Sequence, residues 1–512
     1  MARPPTPRKR TLAGLGLTEL PCRGPRPDAG QAVAGLAVDS RAVEQGFVFV
    51  AIPGTRLDGS SFAQFAVRQG AIAVVATEAG VKTARADVGD LPVPFFVSDA
   101  PRAELARLAA RFYDAQPPVI VAVTGTNGKT STAHFLRQIW TAAGRRAAAF
   151  GTTGVEGEGF EEPLSHTSPE PITLHALLIR LAEKGCTHAA MEASSHGLAQ
   201  HRLDGVRLAA AALTNITRDH MDYHASHEDY VAAKLRLFSE LLPADAAAVV
   251  NADDPVADRV RAVAAKRGLR LVLVGRTAEA DLAILGTRYH PRGQTFELGW
   301  QGVVHRAELA LIGDFQADNV ALAAGLAIAT GVAPDAVFAA LPGLTGVRGR
   351  MEPVARRDNG ATVYVDYAHT PDALATAIAA LRPHCLGQLV VVFGAGGDRD
   401  PGKRPLMGRA AAERADVAIV TDDNPRGEDP AAIRASVLKT CPEAYEISDR
   451  AAAILAGVDA LKEPGDCLLV AGKGHEQGQE VKGRMLPFDD ATQARATVAT
   501  LDGLTNGFGG GR

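Results

Sequence analysis

The clearest chemical signal in the sequence is a glycine-containing loop at residues 123–131, Val-Thr-Gly-Thr-Asn-Gly-Lys-Thr-Ser. It follows the apolar run Val119–Val123 and opens a helical pattern, which is the setting of a phosphate-binding P-loop. In such a loop, backbone N–H groups and the helix N-terminus bind phosphate oxygens, while the lysine and the next hydroxyl meet the outer phosphates and Mg²⁺. The strict pattern has glycine where this chain has Val123. We therefore predict a variant P-loop around Lys129 and Thr130, with an ordinary glycine turn as the alternative.

A carboxylate and a histidine cluster follow later strand-like runs. Glu192 falls at the end of one run, where a carboxylate of a parallel sheet can reach a cation held by the P-loop. Taken alone, it would be a solvated residue beside a serine helix cap. His220 and Asp222 follow another run, and the nearby His224 and His227 leave a zinc site as an alternative. Because no cysteine is near and Mg²⁺–phosphate chemistry needs few protein ligands, we place His220 and Asp222 in an ATP and metal crevice.

The last third of the chain carries four polar loops, each at the end of a strand-like run. They lie at residues 364–371, 394–400, 422–426 and 472–476. Since the ligand crevice of an open α/β sheet lies outside the carboxyl ends of its strands, these loops are expected to converge on one crevice. The glycine-rich loop at 394–400 lacks the spacing of a dinucleotide fingerprint, so a second nucleotide site is not favoured.

These loops need alternating strands and helices to position them, and the apolar pattern supplies both. The sequence predicts an α/β chain with a central P-loop ATPase parallel sheet and a C-terminal Rossmann-like, doubly wound sheet. Pro117 and Pro118 mark the first boundary, because a helix does not continue comfortably through such a pair. A patch interrupted by glycines and charges at about 281–311 predicts short antiparallel strands in the central domain. The predicted domains are residues 1–116 (with a disordered tail at 1–10), 117–345 and 346–512.

Length and composition agree with this organisation. A chain of 512 residues predicts about three domains at roughly 100–200 residues each. The formal net charge of −4 argues against a general nucleic-acid surface. Five scattered cysteines without a paired spacing argue against a disulfide framework or a structural zinc site. No apolar run is long enough for a membrane span. We expect a cytoplasmic monomer that is not inserted in a membrane and does not bind nucleic acid.

Together these motifs resemble the Mur ligase family, the ATP-dependent amide ligases of peptidoglycan precursor synthesis. The resemblance runs from Val38 to about Asp490. It implies an N-terminal UDP-binding domain, a central ATPase domain and a C-terminal Rossmann-like domain. It also implies that Lys234, which on its own would be interpreted as a surface lysine, is carbamylated and becomes an anion able to help position Mg²⁺.

The resemblance also implies binding and catalytic roles for the residues at matching positions. The UDP-MurNAc-dipeptide would contact Val38, Ser40, Thr55, Arg56, Leu57, His166, Thr167, Ser168, Ser194, Gln200 and Arg202. ATP would contact Gly125, Thr126, Asn127, Gly128, Lys129, Thr130, Ser131, Asn319, Arg350 and Asp366. Mg²⁺ would be held by Thr130, Glu192, His220 and the carbamate of Lys234. Lys129, Glu192, His220 and Lys234 would form the catalytic group. Two positions depart from the family pattern, which usually has asparagine at both: Gln316 and His166.

The motif Asp423-Asn424-Pro425-Arg426 resembles the version found in members that add diaminopimelate, since lysine-adding members lack the arginine. A guanidinium can bind the extra carboxylate of diaminopimelate with two hydrogen bonds. The rest of that site would be Arg399, Gly472 and Glu476. The implied reaction joins meso-diaminopimelate to the D-Glu γ-carboxylate of UDP-MurNAc-L-Ala-D-Glu through an acyl phosphate, releasing ADP and phosphate. The alternatives are ligation of L-lysine or another amino acid, and a non-catalytic nucleotide-binding scaffold subunit.

Overall fold

The computed structural model describes residues 10–54, 57–217 and 223–508, with side chains at all of these positions except 87, 88 and 504–508. The chain forms two compact units, one of residues 1–274 with 322–336 and one of residues 275–321 with 337–512. Within the described ranges, no helix combines the length and apolar character that a membrane crossing requires.

The first unit begins with a five-stranded sheet. Its strands lie in the order Cys22–Arg23, Phe95–Val97, Ala73–Ala76, Phe47–Val50 and Gly35–Ala37. All neighbouring pairs are parallel except the first. The same part of the chain also forms a separate antiparallel pair of short strands, Arg10–Thr11 with Ala32–Val33. The helices of this part are Ala63–Arg68, Glu78–Val88 and Pro101–Tyr113.

Seven successive strands of one sheet follow in the same unit. They lie in the order Gly154–Glu156, Ala147–Gly151, His188–Glu192, Val119–Thr124, Leu208–Leu213, Ala247–Asn251 and Arg270–Gly275. Every pair is parallel except the first. The central strands are continuous apolar runs because both of their faces are covered. Its helices are Lys129–Ala142, Pro171–Glu183, Ser195–Ala199, His227–Arg236, extended by a π-turn at Leu237–Leu241, and Ala257–Arg267.

The second unit contains three antiparallel strands and a six-stranded sheet. The antiparallel strands are Leu282–His290, Gly293–Trp300 and Val303–Leu309. The six-stranded sheet has the order Glu352–Arg356, Thr362–Asp366, Cys467–Ala471, Leu389–Phe393, Val417–Val420 and Tyr445–Glu446, parallel except for its first pair. A hairpin, Gly478–Val481 with Arg484–Pro487, follows the sheet in sequence. The helices are Pro371–Leu381, Lys403–Arg414, Pro430–Leu438, Arg450–Asp459 and Asp490–Phe508. Phe315–Ala329 and Pro334–Ala340 cross the division between the units.

Side chains of the six-stranded sheet alternate between two apolar cores, as the two-residue period of a strand requires. Val390 and Val392 pack in one core, with Ile454 and Val458 of a helix on that face. Val391 lies in the opposite core with the helix residues 371–381. Because helices cover both faces, the sheet is doubly wound.

The predicted α/β class is confirmed, and the antiparallel strands lie where the interrupted patch at 281–311 indicated. The strands predicted at Leu389–Phe393 and Val119–Val123 form with the expected bounds to within one residue. The domain boundaries after 116 and 345 stay predictions.

Candidate active site

The P-loop connects the strand Val119–Thr124 to the helix Lys129–Ala142. Gly125 has a φ of 149° and Gly128 a φ of 84°, a backbone region that favours glycine. A Cβ atom at Gly125 would overlap the Thr214 hydroxyl of the adjacent strand end. The loop therefore needs glycine both for its shape and for its close approach to the neighbouring strand.

The segment after the strand Leu208–Leu213 holds the P-loop in place. The Thr214 hydroxyl donates to the carbonyl oxygen of Asn127 at 2.6 Å. The Asn127 backbone N–H donates to Asn215 Oδ1 at 3.0 Å, and Thr126 N–H donates to the Asn215 carbonyl at 2.7 Å. These bonds order the loop before any phosphate binds, which is what an efficient anion site requires.

The Lys129 ammonium lies over its own loop. Nζ donates to the carbonyl oxygens of Gly125 at 2.9 Å and Thr126 at 2.8 Å. A positive charge is thus held at the mouth of the loop, beside the N-terminus of the helix. Ser131, one turn into the helix, is buried.

Glu192, the last residue of its strand, is buried and accepts several hydrogen bonds. Its Oε1 accepts from the Thr130 hydroxyl at 2.9 Å and from the Thr152 backbone N–H at 2.8 Å. The Thr152 hydroxyl lies 3.3 Å from Oε2 and 3.0 Å from the Thr167 hydroxyl. The Glu192 carboxylate therefore contacts the P-loop through Thr130, and Thr152 is a contact that the sequence did not indicate.

Lys234 lies in the helix His227–Arg236 and is 1% exposed, so it is not a surface residue. Its Nζ donates to the Gly125 carbonyl oxygen at 2.7 Å and lies 4.6 Å from the ring centre of Tyr230. The Tyr230 hydroxyl is 2.8 Å from the Thr126 hydroxyl. The structure thus brings Lys234 to the P-loop, although 109 residues separate it from Gly125.

Some predicted residues lie outside the described ranges: Thr55, Arg56, His220 and Asp222. Among the described residues, no group of three or more His, Cys, Asp or Glu side chains is arranged to hold a metal. The Thr130 hydroxyl and the Glu192 carboxylate are oxygen donors, the type that Mg²⁺ prefers.

The residues expected at the dipeptide form one polar network. The Ser168 hydroxyl donates to the Glu192 carbonyl at 3.0 Å and accepts from Ser194 N–H at 3.0 Å. Arg202 donates to the Ser168 carbonyl at 2.6 Å and, through Nη2, to Gln200 Oε1 at 2.8 Å. The network is continuous with the Glu192 strand end. His166 contacts Ser165 instead, at 3.1 Å from its hydroxyl.

The predicted uridine contacts lie in the N-terminal sheet region. Ser40 is buried and begins the short turn Ser40–Ala42, which Asp39 caps through the Arg41 N–H. The hydrogen bond from the Arg41 side chain lowers the pKa of Asp39 to about 2. Val38 and Leu57 expose part of their apolar surface.

The second unit holds the remaining nucleotide-binding candidates. Asp366 ends its strand and accepts from the N–H groups of Met351 at 2.7 Å and Ala368 at 2.8 Å. Burial raises the pKa of Asp366, and the charge of Arg350 acts against that rise. The Arg350 guanidinium lies 4.6 Å from the ring centre of Tyr367. Asn319 is buried, with its Nδ2 donating to Gln316 Oε1 at 3.4 Å.

The loop after Val417–Val420 has a strained backbone. Asn424 and Arg426 have φ values of 42° and 50°, which side-chain-bearing residues rarely adopt. Arg426 Nε donates to Glu480 Oε2 at 3.1 Å, and Nη1 donates to the Gly397 carbonyl at 2.9 Å. Among the described residues, none accepts a hydrogen bond from Nη2. The guanidinium is therefore oriented by protein contacts while one edge stays able to donate to a ligand.

The other predicted amino-acid-binding residues surround this loop. The Asn424 Nδ2 donates to Glu476 Oε2 at 2.9 Å. A Cβ atom at Gly472, whose φ is 122°, would overlap the Asp423 carboxylate. Arg399 is exposed on the neighbouring loop. Pro425 is part of the same turn, and its carbonyl leaves no room for a Cβ at Gly397. The loops at 394–400, 422–426 and 472–476, each following a strand of the six-stranded sheet, therefore lie close together.

Comparison with known proteins identifies the family. Three family models match consecutive stretches: "Mur ligase family, catalytic domain" at residues 32–113, "Mur ligase middle domain" at 123–327 and "Mur ligase, glutamate ligase domain" at 349–474. The chain belongs to the Mur ligase family. The matched stretches include the P-loop, Glu192, Lys234 and the 422–426 loop. The expected enzyme class, an ATP-dependent ligase, is confirmed.

Among its relatives are several named UDP-N-acetylmuramoyl-L-alanyl-D-glutamate–2,6-diaminopimelate ligase. The one from Chelativorans sp. (strain BNC1) is 50% identical over 466 residues, covering 91% of this chain and 95% of the relative. The one from Caulobacter vibrioides is 50% identical over 478 residues, covering 92% and 96%. A solved structure of a ligase with the same name is 34% identical, with a TM-score of 0.71 and coverage of 96% and 99%.

Proposed function

We propose that this Mur ligase joins meso-2,6-diaminopimelate to the γ-carboxylate of D-glutamate in UDP-MurNAc-L-Ala-D-Glu, with cleavage of ATP to ADP and phosphate. The observation that carries the proposal is the 50% identity over 91% of the chain to a relative with that name. The product is a peptidoglycan precursor.

The proposed reaction has two chemical steps. A γ-carboxylate oxygen of D-Glu forms a bond to the γ-phosphorus of ATP, and the bond from that phosphorus to the ADP oxygen breaks. The amine of diaminopimelate then attacks the acyl carbon, loses a proton, and expels phosphate to leave the amide. Phosphorylation makes the second step possible because the amine then displaces phosphate, a good leaving group, in place of a carboxylate oxygen, which is a poor one.

The P-loop supports the first step by charge. Its ordered N–H groups and the Lys129 ammonium would bind the phosphoryl oxygens on which negative charge develops. Lys129 donates to two loop carbonyls, and it would exchange these oxygens for phosphate oxygens when ATP binds. The remaining nucleotide contacts that we propose are Gly125, Thr126, Asn127, Gly128, Thr130, Ser131, Asn319, Arg350 and Asp366.

The residues present suit Mg²⁺. The Thr130 hydroxyl and the buried Glu192 carboxylate are in contact at 2.9 Å, and we propose both as ligands together with His220. When bound, Mg²⁺ supplies positive charge that stabilises the transferring phosphoryl group.

We also propose Lys234 as a carbamate. Carbon dioxide adds to its neutral amine, an N–C bond forms and a proton leaves, so that a cation is replaced by an anion. The 2.7 Å contact of Nζ with the Gly125 carbonyl supports this role by placing the amine at the P-loop. A carbamate there would be a further oxygen donor for Mg²⁺.

Arg426 is the proposed determinant of the second substrate. Diaminopimelate resembles lysine with an additional carboxylate, which the free edge of the guanidinium can bind. Hydrogen bonds to charged groups are worth roughly 1.5–3 kcal/mol, which is about 10- to 150-fold in affinity. Lysine would leave Arg426 without that carboxylate. Arg399, Asp423, Asn424, Pro425, Gly472 and Glu476 are the other proposed contacts.

The muramoyl dipeptide is proposed to bind along the first unit. The hydroxyls of Ser168 and Ser194, with Arg202 and Gln200, form a network of donors and acceptors for its peptide and sugar groups. Ser40 is proposed for the uridine end. The remaining proposed contacts are Val38, Thr55, Arg56, Leu57, His166 and Thr167.

The test is phosphate release from ATP with UDP-MurNAc-L-Ala-D-Glu and either meso-diaminopimelate or L-lysine, with Lys129→Ala as the inactive control. We expect release that requires every substrate and is at least about tenfold faster with diaminopimelate at low amino-acid concentration. Faster release with lysine would support the lysine-adding alternative. No release with either amino acid would support the scaffold alternative.

A further inference from the structure

Lys473 is a buried cation at the junction of the proposed amino-acid-binding loops. Its side chain is 0% exposed. Nζ donates to Asn424 Oδ1 at 3.0 Å and to the Gly478 carbonyl at 2.7 Å. Two carboxylates face it, Asp423 with Oδ1 at 3.5 Å and Glu476 with Oε2 at 3.8 Å. One ammonium therefore connects the 422–426 loop, the 472–476 loop and the hairpin that follows them.

These contacts determine which way the Asn424 amide points. Its Oδ1 accepts from Lys473 Nζ and from the Glu480 backbone N–H at 2.9 Å. Its Nδ2 consequently faces Glu476, to which it donates at 2.9 Å. A flipped amide would set two donors against Nδ2 and two acceptors against each other. Without the lysine, one of the two donors that hold Asn424 Oδ1 in this orientation is lost.

We propose that Lys473 is a positioning residue for the amino-acid substrate: it fixes the Asn424 amide and holds Glu476 beside a positive charge, so that the site presents an oriented carboxylate to the substrate ammonium. This inference rests on the proposed function, because it assigns a role at the proposed amino-acid site. Lys473 itself is fully buried and contacts the substrate only through these neighbours.

Electrostatics supports the same role. Burial raises the pKa of Glu476, whereas the Asn424 hydrogen bond and the Lys473 charge act against that rise. Burial lowers the pKa of Lys473, and the charges of Asp423 and Glu476 oppose that shift. Without Lys473, two neighbouring carboxylates would repel each other, and the pKa of Glu476 would rise further. The charged or titratable groups facing Glu476 are Asp423, Arg426, Lys473, Tyr367 and Arg450.

The experiment compares Lys473→Gln with a matched control, Lys462→Gln, whose lysine is 65% exposed and pairs with Asp459 on the surface of the same unit. Steady-state constants are measured for each substrate, using whichever amino acid the wild-type enzyme accepts. We expect Lys473→Gln to raise the amino-acid KM about 10- to 100-fold. The KM for ATP should stay within about twofold, as should every constant of the control.

A pH profile separates positioning from general damage to the fold. The acidic limb of kcat/KM for the amino acid should move to higher pH in Lys473→Gln, because Glu476 then ionises less readily. In Glu476→Gln that limb should disappear, and adding Lys473→Gln to it should cost less than the same change in the wild type. Glu476→Gln leaves Lys473 in place, so its pH profile keeps the test decisive if Lys473→Gln fails to fold: an acidic limb that persists in Glu476→Gln would overturn the proposal.

Three further results would overturn the proposal: an unchanged amino-acid KM in Lys473→Gln, an acidic limb that does not move in that variant, or fully additive effects in the double variant. A wild-type enzyme that prefers lysine would contradict the proposed substrate while leaving the role of Lys473 open to the same measurements. A wild-type enzyme that accepts no amino acid would overturn both.

Discussion

Replacing Arg426 with lysine keeps a positive charge in the 422–426 loop but removes the planar guanidinium. Arg426→Lys loses the contacts of Nε with Glu480 Oε2 at 3.1 Å and of Nη1 with the Gly397 carbonyl at 2.9 Å. It also loses the edge that we propose for the far carboxylate of diaminopimelate. A single ammonium on a flexible stem does not reproduce that paired geometry.

The expected magnitude follows from the hydrogen bonds to the substrate. One or two bonds to a carboxylate at roughly 1.5–3 kcal/mol in total correspond to an increase of about 10- to 150-fold in the KM for diaminopimelate. Folding stability should fall as well, because two protein contacts of a largely buried side chain are lost, so the kinetics are measured under conditions in which the variant is folded. The KM values for ATP and for UDP-MurNAc-L-Ala-D-Glu should stay within about twofold.

The assay is initial-rate phosphate release with diaminopimelate varied and the other substrates saturating. Arg484→Lys is the control, because Arg484 is an exposed arginine on the strand Arg484–Pro487 of the adjacent hairpin. An Arg426→Lys enzyme with an unchanged KM for diaminopimelate, or with equal losses for all three substrates, would refute the specificity reasoning.

Three further predictions concern chemistry, stability and pH. Glu192→Gln sets an amide against the hydroxyl and N–H donors that the carboxylate now accepts, so kcat should fall at least about 100-fold in the phosphate-release assay; a loss of less than tenfold would contradict its role. Arg450→Met leaves Asp490 as an unpaired buried charge, since their 2.7 Å ion pair is almost fully buried, and urea unfolding should show a loss of about 3–5 kcal/mol. A loss below about 1 kcal/mol would contradict that account. Burial lowers the pKa of His175 to about 4. Because the unfolded chain binds this proton near pH 6.5, stability should fall by up to about 3 kcal/mol as pH drops from 6.5 to 4. His175→Gln should show a shallower loss over that range, and an identical pH dependence would contradict the assignment.

Local pattern was enough to locate the strand ends and the loops that follow them. Short apolar runs such as Leu389–Phe393, bounded by glycine and polar residues, favour buried strands over helices. The polar loops after them lie at one edge of the sheet. The P-loop was likewise recognisable, because its glycines, Lys129 and Thr130 are contiguous in the chain. The fold class and the grouping of site residues therefore follow from short-range sequence.

Contacts between distant segments did not follow from the sequence. Lys234 is buried because its helix packs toward Gly125, 109 residues earlier. Lys473 meets Asn424 across 49 residues, and Arg426 meets Glu480 of a hairpin that no motif indicated. The position of each of these charged side chains depends on tertiary packing, which the spacing of residues along the sequence does not reveal. The site roles, including those of His220, Thr55 and Arg56 outside the described residues, stay predictions.

The most direct test of the central claim is mass analysis of the product formed from UDP-MurNAc-L-Ala-D-Glu and ATP in an equimolar mixture of meso-diaminopimelate and L-lysine. The account predicts one dominant product, the UDP-MurNAc-dipeptide extended by diaminopimelate with loss of water. A dominant lysine adduct, or no extended product while the wild-type protein remains folded, would contradict it.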